Sequence, residues 1–108
     1  MITVLIERNA NQQIDSFTMS GHADSGPHGH DLVCAGASAV SFGAVNAISA
    51  LCSVELDIQM EEEGGFLRCG VPTGLDNTTY EKVQLLLEGM IVSLQSMAEE
   101  YSEYIEIK

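Results

Sequence analysis

All three histidines of this chain, His22, His28 and His30, fall within nine residues of the segment Gly21-His22-Ala23-Asp24-Ser25-Gly26-Pro27-His28-Gly29-His30-Asp31, which then runs through Leu32 and Val33 into Cys34. A base and a thiol therefore stand at the two ends of one glycine-rich loop. A thiol is a nucleophile only as its thiolate, which a neighbouring imidazole or a helix N-terminus favours. The pattern points to a cysteine-dependent hydrolase. In that chemistry Cys34 attacks a carbonyl, His22 accepts the thiol proton and later gives one to the leaving amine, and water resolves the thioester.

The residues after the loop must hold this pair in place. Leu32 to Leu51 contains no proline and is dense in alanine, with apolar positions recurring around the turn, so a long helix is expected there. His30 or Asp31 is the expected N-cap, because a side-chain acceptor there satisfies first-turn amides and adds negative charge at the positive end of the dipole. Cys34 then lies in the first turn, where the unpaired amides and the dipole move a thiol pKa below its free value of roughly 8.5. The amides of Cys34 and Ala35 are the expected oxyanion donors. Asp31 has a second candidate role, orienting His22 and setting its tautomer, although capping alone accounts for its presence.

Gly21-His22-Ala23, the Gly-His-Asp of residues 29 to 31, Val33-Cys34-Ala35-Gly36-Ala37-Ser38-Ala39-Val40 and the following Phe42-Gly43 resemble the bacterial ribosomal-processing cysteine protease family, Prp. The resemblance runs the length of the chain, taking in Met1-Ile2-Thr3-Val4, Asn46-Ala47-Ile48 and Ser93-Leu94-Gln95. It implies a cytoplasmic, homodimeric thiol endopeptidase of ribosome biogenesis. Such an enzyme removes a short N-terminal extension from large-subunit ribosomal protein number twenty-seven, cutting after a hydrophobic, aromatic-containing stretch. The resemblance also assigns His22 and Cys34 as the catalytic pair, with Asp31 at the acidic position before the helix. It implies that Gly21, Gly26 and Gly29 belong to a flexible loop that rearranges around substrate, which suits the backbone freedom of glycine. His28 takes no catalytic role, and Pro27 reads as a local stiffener.

Other readings stand beside this one. Cys52, near the helix end, and Cys69, in a strand, read as small hydrophobes, and a packed helical Cys34 is the corresponding bland alternative. His22, His28, His30 and Cys34 offer nitrogen and sulfur to zinc, but structural zinc sites draw ligand pairs from two segments, whereas these four share one loop and no CxxC occurs. No metal and no cofactor is expected. A noncatalytic ribosome-associated module, whose loop merely captures a peptide, is the alternative from a different functional class.

Composition frames these expectations. A chain of 108 residues suits a single domain, here a cysteine-protease domain over residues 1–108, able to bury about two-thirds of its unfolded surface. Three cysteines without framework spacing suggest no disulfides and fit a reducing cytosol. Glu7 and Arg8 arrive too early for a signal peptide, and the low-charge run Leu32 to Val54, rich in Ala, Gly and Ser, belongs to a helix rather than a membrane span. Four Lys and Arg against sixteen Asp and Glu give a net charge of −12, which disfavours nucleic acid and suits steering of a basic protein substrate.

The remaining elements follow from periodicity. Ile2 to Arg8 and Ile14 to Ser20 read as a hairpin around the polar turn Asn9 to Gln13. Ser53 to Met60 reads as a one-sided strand, since Val54, Leu56, Ile58 and Met60 alternate with polar residues, and Phe66 to Val71 as its partner. Between them, Glu61-Glu62-Glu63-Gly64-Gly65 reads as a solvated turn rather than a binding feature. A second helix is expected to open on a Thr78/Glu81 capping box. It carries the apolar stripe Val83, Leu86, Leu87, Met90, Ile91, Leu94 and Met97. Tyr104, Ile105 and Ile107 add a short last strand. The order β-β-α-β-β-α-β gives a two-layer α+β domain with an antiparallel or mixed sheet and two main helices. The small residues of the first helix, Ala35 to Ala47, suit close packing on the sheet or a dimer contact.

Overall fold

Ile2, Val4 and Ile6 alternate with Thr3, Leu5 and Glu7, and this period of two decides which side of the first strand turns inward. Ile2 and Val4 are buried, whereas Leu5 and Glu7 face out. The computed structural model describes residues 1–23, 26 and 31–108. Its elements are β1 (Ile2–Arg8), β2 (Ile14–Ser20), α1 (Leu32–Cys52), β3 (Asp57–Met60), β4 (Phe66–Gly70), α2 (Asn77–Glu100) and β5 (Ile105–Ile107). The sheet order is β3-β4-β2-β1-β5. It is mixed: β5 runs parallel to β1, and every other neighbouring pair is antiparallel.

β1 and β2 form the expected hairpin, with a register shift at Glu7/Arg8. Gln84 of α2 completes the irregular end: its side-chain amide accepts from the Ile14 N–H and donates to the Ile14 carbonyl, both at 2.8 Å. α1 and α2 pack against each other, and their buried residues join those of the strands in one core. Gly36 permits close approach, since a Cβ there would stand 3.1 Å from the Met97 methyl of α2. Length and apolar composition alone would also let α1 cross a membrane, but its face of Val33, Ala37, Ser41, Val45 and Ile48 is buried in this core.

Several element boundaries differ from expectation. The strand expected from Ser53 begins only at Asp57. Ser53 is the left-handed C-cap of α1, and Val54 and Leu56 enter the core before the chain joins the sheet edge. There Ile58 and Met60 are 43% and 59% exposed, so the alternation did not report one buried face. The second helix starts earlier than a Thr78/Glu81 box requires: Asp76 is the N-cap, its carboxylate accepting from the Thr79 N–H at 2.7 Å. β4 ends at Gly70 and β5 excludes Tyr104, both within the usual uncertainty of element ends. The expected stripe of α2 is where the core lies, with Val83, Leu87, Met90, Ile91 and Leu94 buried.

Phe17 is the largest fully buried side chain. Phe17→Ala should lower stability by about 3–5 kcal/mol, against a change within about 0.5 kcal/mol for Leu85→Ala on the exposed face of α2, both read from urea unfolding. The Thr79 amide holds the Asp76 carboxyl below the usual carboxylate range. A depressed carboxylate stabilises the fold above its unfolded pKa, and the contribution is lost as pH falls through its folded value. Asp76→Ala should therefore lower Tm at neutral pH, with the difference from wild type closing below about pH 4.

Candidate active site

His22 lies two residues beyond the end of β2, and Cys34 is the third residue of α1. Sequence-distant backbone joins them: the Ala23 N–H donates to Cys34 Sγ at 3.2 Å, and Ala23 itself is buried. The start of α1 is set by Asp31, which lies in extended conformation and caps the helix, its carboxylate accepting from the Cys34 N–H at 3.0 Å. Of the two cap candidates, Asp31 fills the position. Such a cap fixes the backbone of the third helical residue and hence where its side chain projects.

A groove of about 320 Å³ opens over this junction. One wall is a stripe of α1, Cys34, Ser38 and Phe42, spaced by four residues along one helix face. The opposite wall comes from the end of β3, the turn and the start of β4, where Met60, Glu61, Glu63 and Phe66 face the space. Gly21 and His22 close one end. The turn after β3 is tied to the His22 segment, because the Gly21 N–H donates to the Gly65 carbonyl at 2.9 Å. Gly21 has φ +88°, and a Cβ on it would lie 2.3 Å from the Met1 carbonyl oxygen, so no side chain fits there.

Two expectations change. The Cys34 and Ala35 amides, expected as oxyanion donors, both donate to Asp31, the first to its carboxylate and the second to its carbonyl, each at 3.0 Å. The cap that orders the helix start thereby occupies them. The Glu61–Gly65 turn, expected to be only a solvated tip, is exposed through Gly64 and also lines the groove through Glu61, Glu63, Gly64 and Gly65. Ser38 and Phe42 were given no site role from sequence, although steps of four from Cys34 would have found them; the wall from Met60 to Leu67 has no comparable signal.

Of the three loop glycines, Gly21 and the exposed Gly26 are described, while Gly29 lies outside the described residues. So do Pro27, His28 and His30, and with them the stiffening role of Pro27 and two of the four candidate zinc ligands. Among the described residues no group of three His, Cys, Asp or Glu side chains could hold a metal ion.

The other thiols sit elsewhere. Cys52 is half-buried at the end of α1, and Cys69 lies within β4 at 1% exposure. Burial pushes the Cys69 thiol from its ordinary 9.0 up to about 11, with the Arg68 charge opposing. Iodoacetamide at neutral pH should modify Cys34 and spare Cys69, as peptide mapping would show. A raised thiol pKa contributes stability fully present below its unfolded value and lost as pH rises through the folded one. Cys69→Ala should therefore flatten part of the loss of stability between about pH 9 and 11.

A family model described as cysteine protease Prp matches residues 1–106. The chain is 44% identical over 107 residues to the ribosomal processing cysteine protease Prp of Bacillus subtilis, covering 99% of this chain and 96% of that protein. It also superposes on two crystal structures of the essential ribosomal processing protease Prp from Staphylococcus aureus. One, in complex with a covalently linked product peptide, gives a TM-score of 0.91 at 45% identity. The other, in complex with a substrate peptide, gives 0.84 at 44% identity. Each match covers 100% of this chain and 98% of the other. The chain, with its five-stranded mixed sheet and two helices, belongs to the cysteine protease Prp family.

Proposed function

We propose that this chain is a cysteine endopeptidase that removes the short N-terminal extension of large-subunit ribosomal protein number twenty-seven, with Cys34 as nucleophile and His22 as general base and acid. The observation that carries this reading is the Ala23 N–H donating to Cys34 Sγ at 3.2 Å, beside a groove that His22 also lines. An amide donor and a helix start both favour an anionic sulfur over a thiol. The covalently linked product peptide of the S. aureus relative supports a covalent route. The exposed side chains of Phe42 and Met60 and the half-buried Phe66 along the groove suit a hydrophobic, aromatic-containing stretch ahead of the cut.

In the first half-reaction His22 takes the thiol proton and Cys34 Sγ adds to the carbonyl carbon, forming a tetrahedral oxyanion. Collapse breaks the C–N bond, the imidazolium protonates the departing amine, and a thioester remains on Cys34. His22 then deprotonates water, which adds to the thioester, and the carboxylic acid leaves as the thiol is restored. With the Cys34 and Ala35 amides engaged by Asp31, we assign the Ala23 N–H to the oxyanion, toward which it can turn as charge leaves the sulfur. Asp31 is assigned the capping role and not a proton-transfer step.

Residues 1–108 then act as one protease domain, in the cytoplasm, as a homodimer in ribosome biogenesis. The net charge of −12 suits attraction of a basic ribosomal protein. Purified protein incubated with the extended ribosomal protein should release one new N-terminus, read by mass spectrometry. Cys34→Ala and His22→Ala should each cut kcat by on the order of a thousandfold or more while peptide binding persists. Peptide capture without cleavage by the wild-type protein would instead identify a binding module, and loss of fold on chelation a zinc site.

A further inference from the structure

We infer that Gly65, in the turn between β3 and β4, is a positioning residue for the His22 imidazole. This rests on the assignment of His22 as the proton carrier and adds a residue on a different element that determines where its ring stands. A Cβ built on Gly65 would lie 2.8 Å from His22 Nε2, 3.3 Å from Cε1 and 3.5 Å from Cδ2. The ring thus rests on the α-carbon of Gly65, in space that any side chain would occupy. Nor is the turn free to retreat. The Gly65 carbonyl accepts from the Gly21 N–H at 2.9 Å, immediately before His22, and the Gly64 N–H donates to the Glu61 carbonyl at 3.1 Å. Between an anchored backbone and the tip of a rotatable side chain, the side chain yields, so a methyl at position 65 displaces the imidazole and leaves the strand pairing in place.

The turn contains its own control. Gly64 and Gly65 have nearly the same positive φ, +78° and +79°, so an alanine at either imposes a similar left-handed strain. A Cβ on Gly64 meets nothing within 4 Å, whereas one on Gly65 meets the ring. Backbone strain and imidazole displacement are thereby separable by one residue. Misplacing a reacting group by about 1 Å costs on the order of a hundredfold in rate, and that is the scale expected here.

The experiment compares Gly65→Ala with Gly64→Ala in the full chain. The readouts are kcat and KM on the extended peptide, thermal unfolding, and the pH dependence of Cys34 alkylation. Gly65→Ala should lower kcat by roughly a hundredfold with little change in KM, and its alkylation profile should take the form measured for His22→Ala. Gly64→Ala, whose Cβ does not meet the ring, should keep the wild-type alkylation profile while sharing any loss of Tm. Equal alkylation profiles for the two variants, or a wild-type kcat in Gly65→Ala, would overturn the inference. In the unsubstituted protein, a nuclear Overhauser effect between the His22 ring protons and the Gly65 α-protons is expected; its absence overturns the inference even if Gly65→Ala does not fold. Full activity in His22→Ala is a separate result, sinking the proton-carrier assignment while the ring contact is judged by the Overhauser effect.

Discussion

Everything at the groove depends on how the first turn of α1 is anchored. Asp31 accepts the Cys34 N–H on its carboxylate and the Ala35 N–H on its carbonyl, which fixes the third helical residue relative to the helix axis. The Ala23 N–H then reaches Sγ from the segment beyond β2. One carboxylate and one amide thus join the start of a helix to the end of a strand, although 11 positions of sequence separate the sulfur from Ala23. The cap has an electrostatic cost as well. A carboxylate beside the helix start opposes the dipole's attraction for a thiolate, which leaves the Ala23 amide as a donor aimed at the sulfur itself.

The sheet supplies the third part of the site. β2 pairs with β4 through Ser20 opposite Phe66, so the strand end that leads to His22 lies beside the start of β4 and the turn before it. The Gly21–Gly65 hydrogen bond continues that ladder beyond the strand. Chemistry-bearing side chains therefore sit at the rim of the two-layer body, and the buried residues of both helices and the sheet lie behind them. This division suits a rigid scaffold that holds reactive groups on short connecting segments. It also explains why two glycines are required: Gly21 passes under the Met1 carbonyl, and Gly65 lies under the imidazole.

The thiols show that residue type does not decide a side chain's surroundings. Cys69 lies in β4 among core residues, where desolvation keeps it protonated well into the alkaline range. Cys34, also in contact with the core, lines an open groove and receives a backbone N–H. Burial without a donor disfavours the charged form; a directed N–H favours it.

Sequence alone carried the elements whose signal is local. The hairpin Ile2–Arg8 with Ile14–Ser20, the long proline-free helix, the stripe of α2 and the order β-β-α-β-β-α-β all follow from periodicity, turn residues and helix propensity. His22 and Cys34 were legible as candidates because both flank one short loop, and both line the groove. Tertiary structure decided what depends on distant partners: that the Cys34 and Ala35 amides are already engaged by Asp31, that Asp76 rather than Thr78 opens α2, and that Ile58 and Met60 lie on an exposed edge. It also decided that the acidic turn forms a wall of the groove. Alternation and propensity describe a residue's own segment, whereas the use of an amide or the covering of a face is set by which other segment arrives there, and in this chain that follows from β4 pairing with β2.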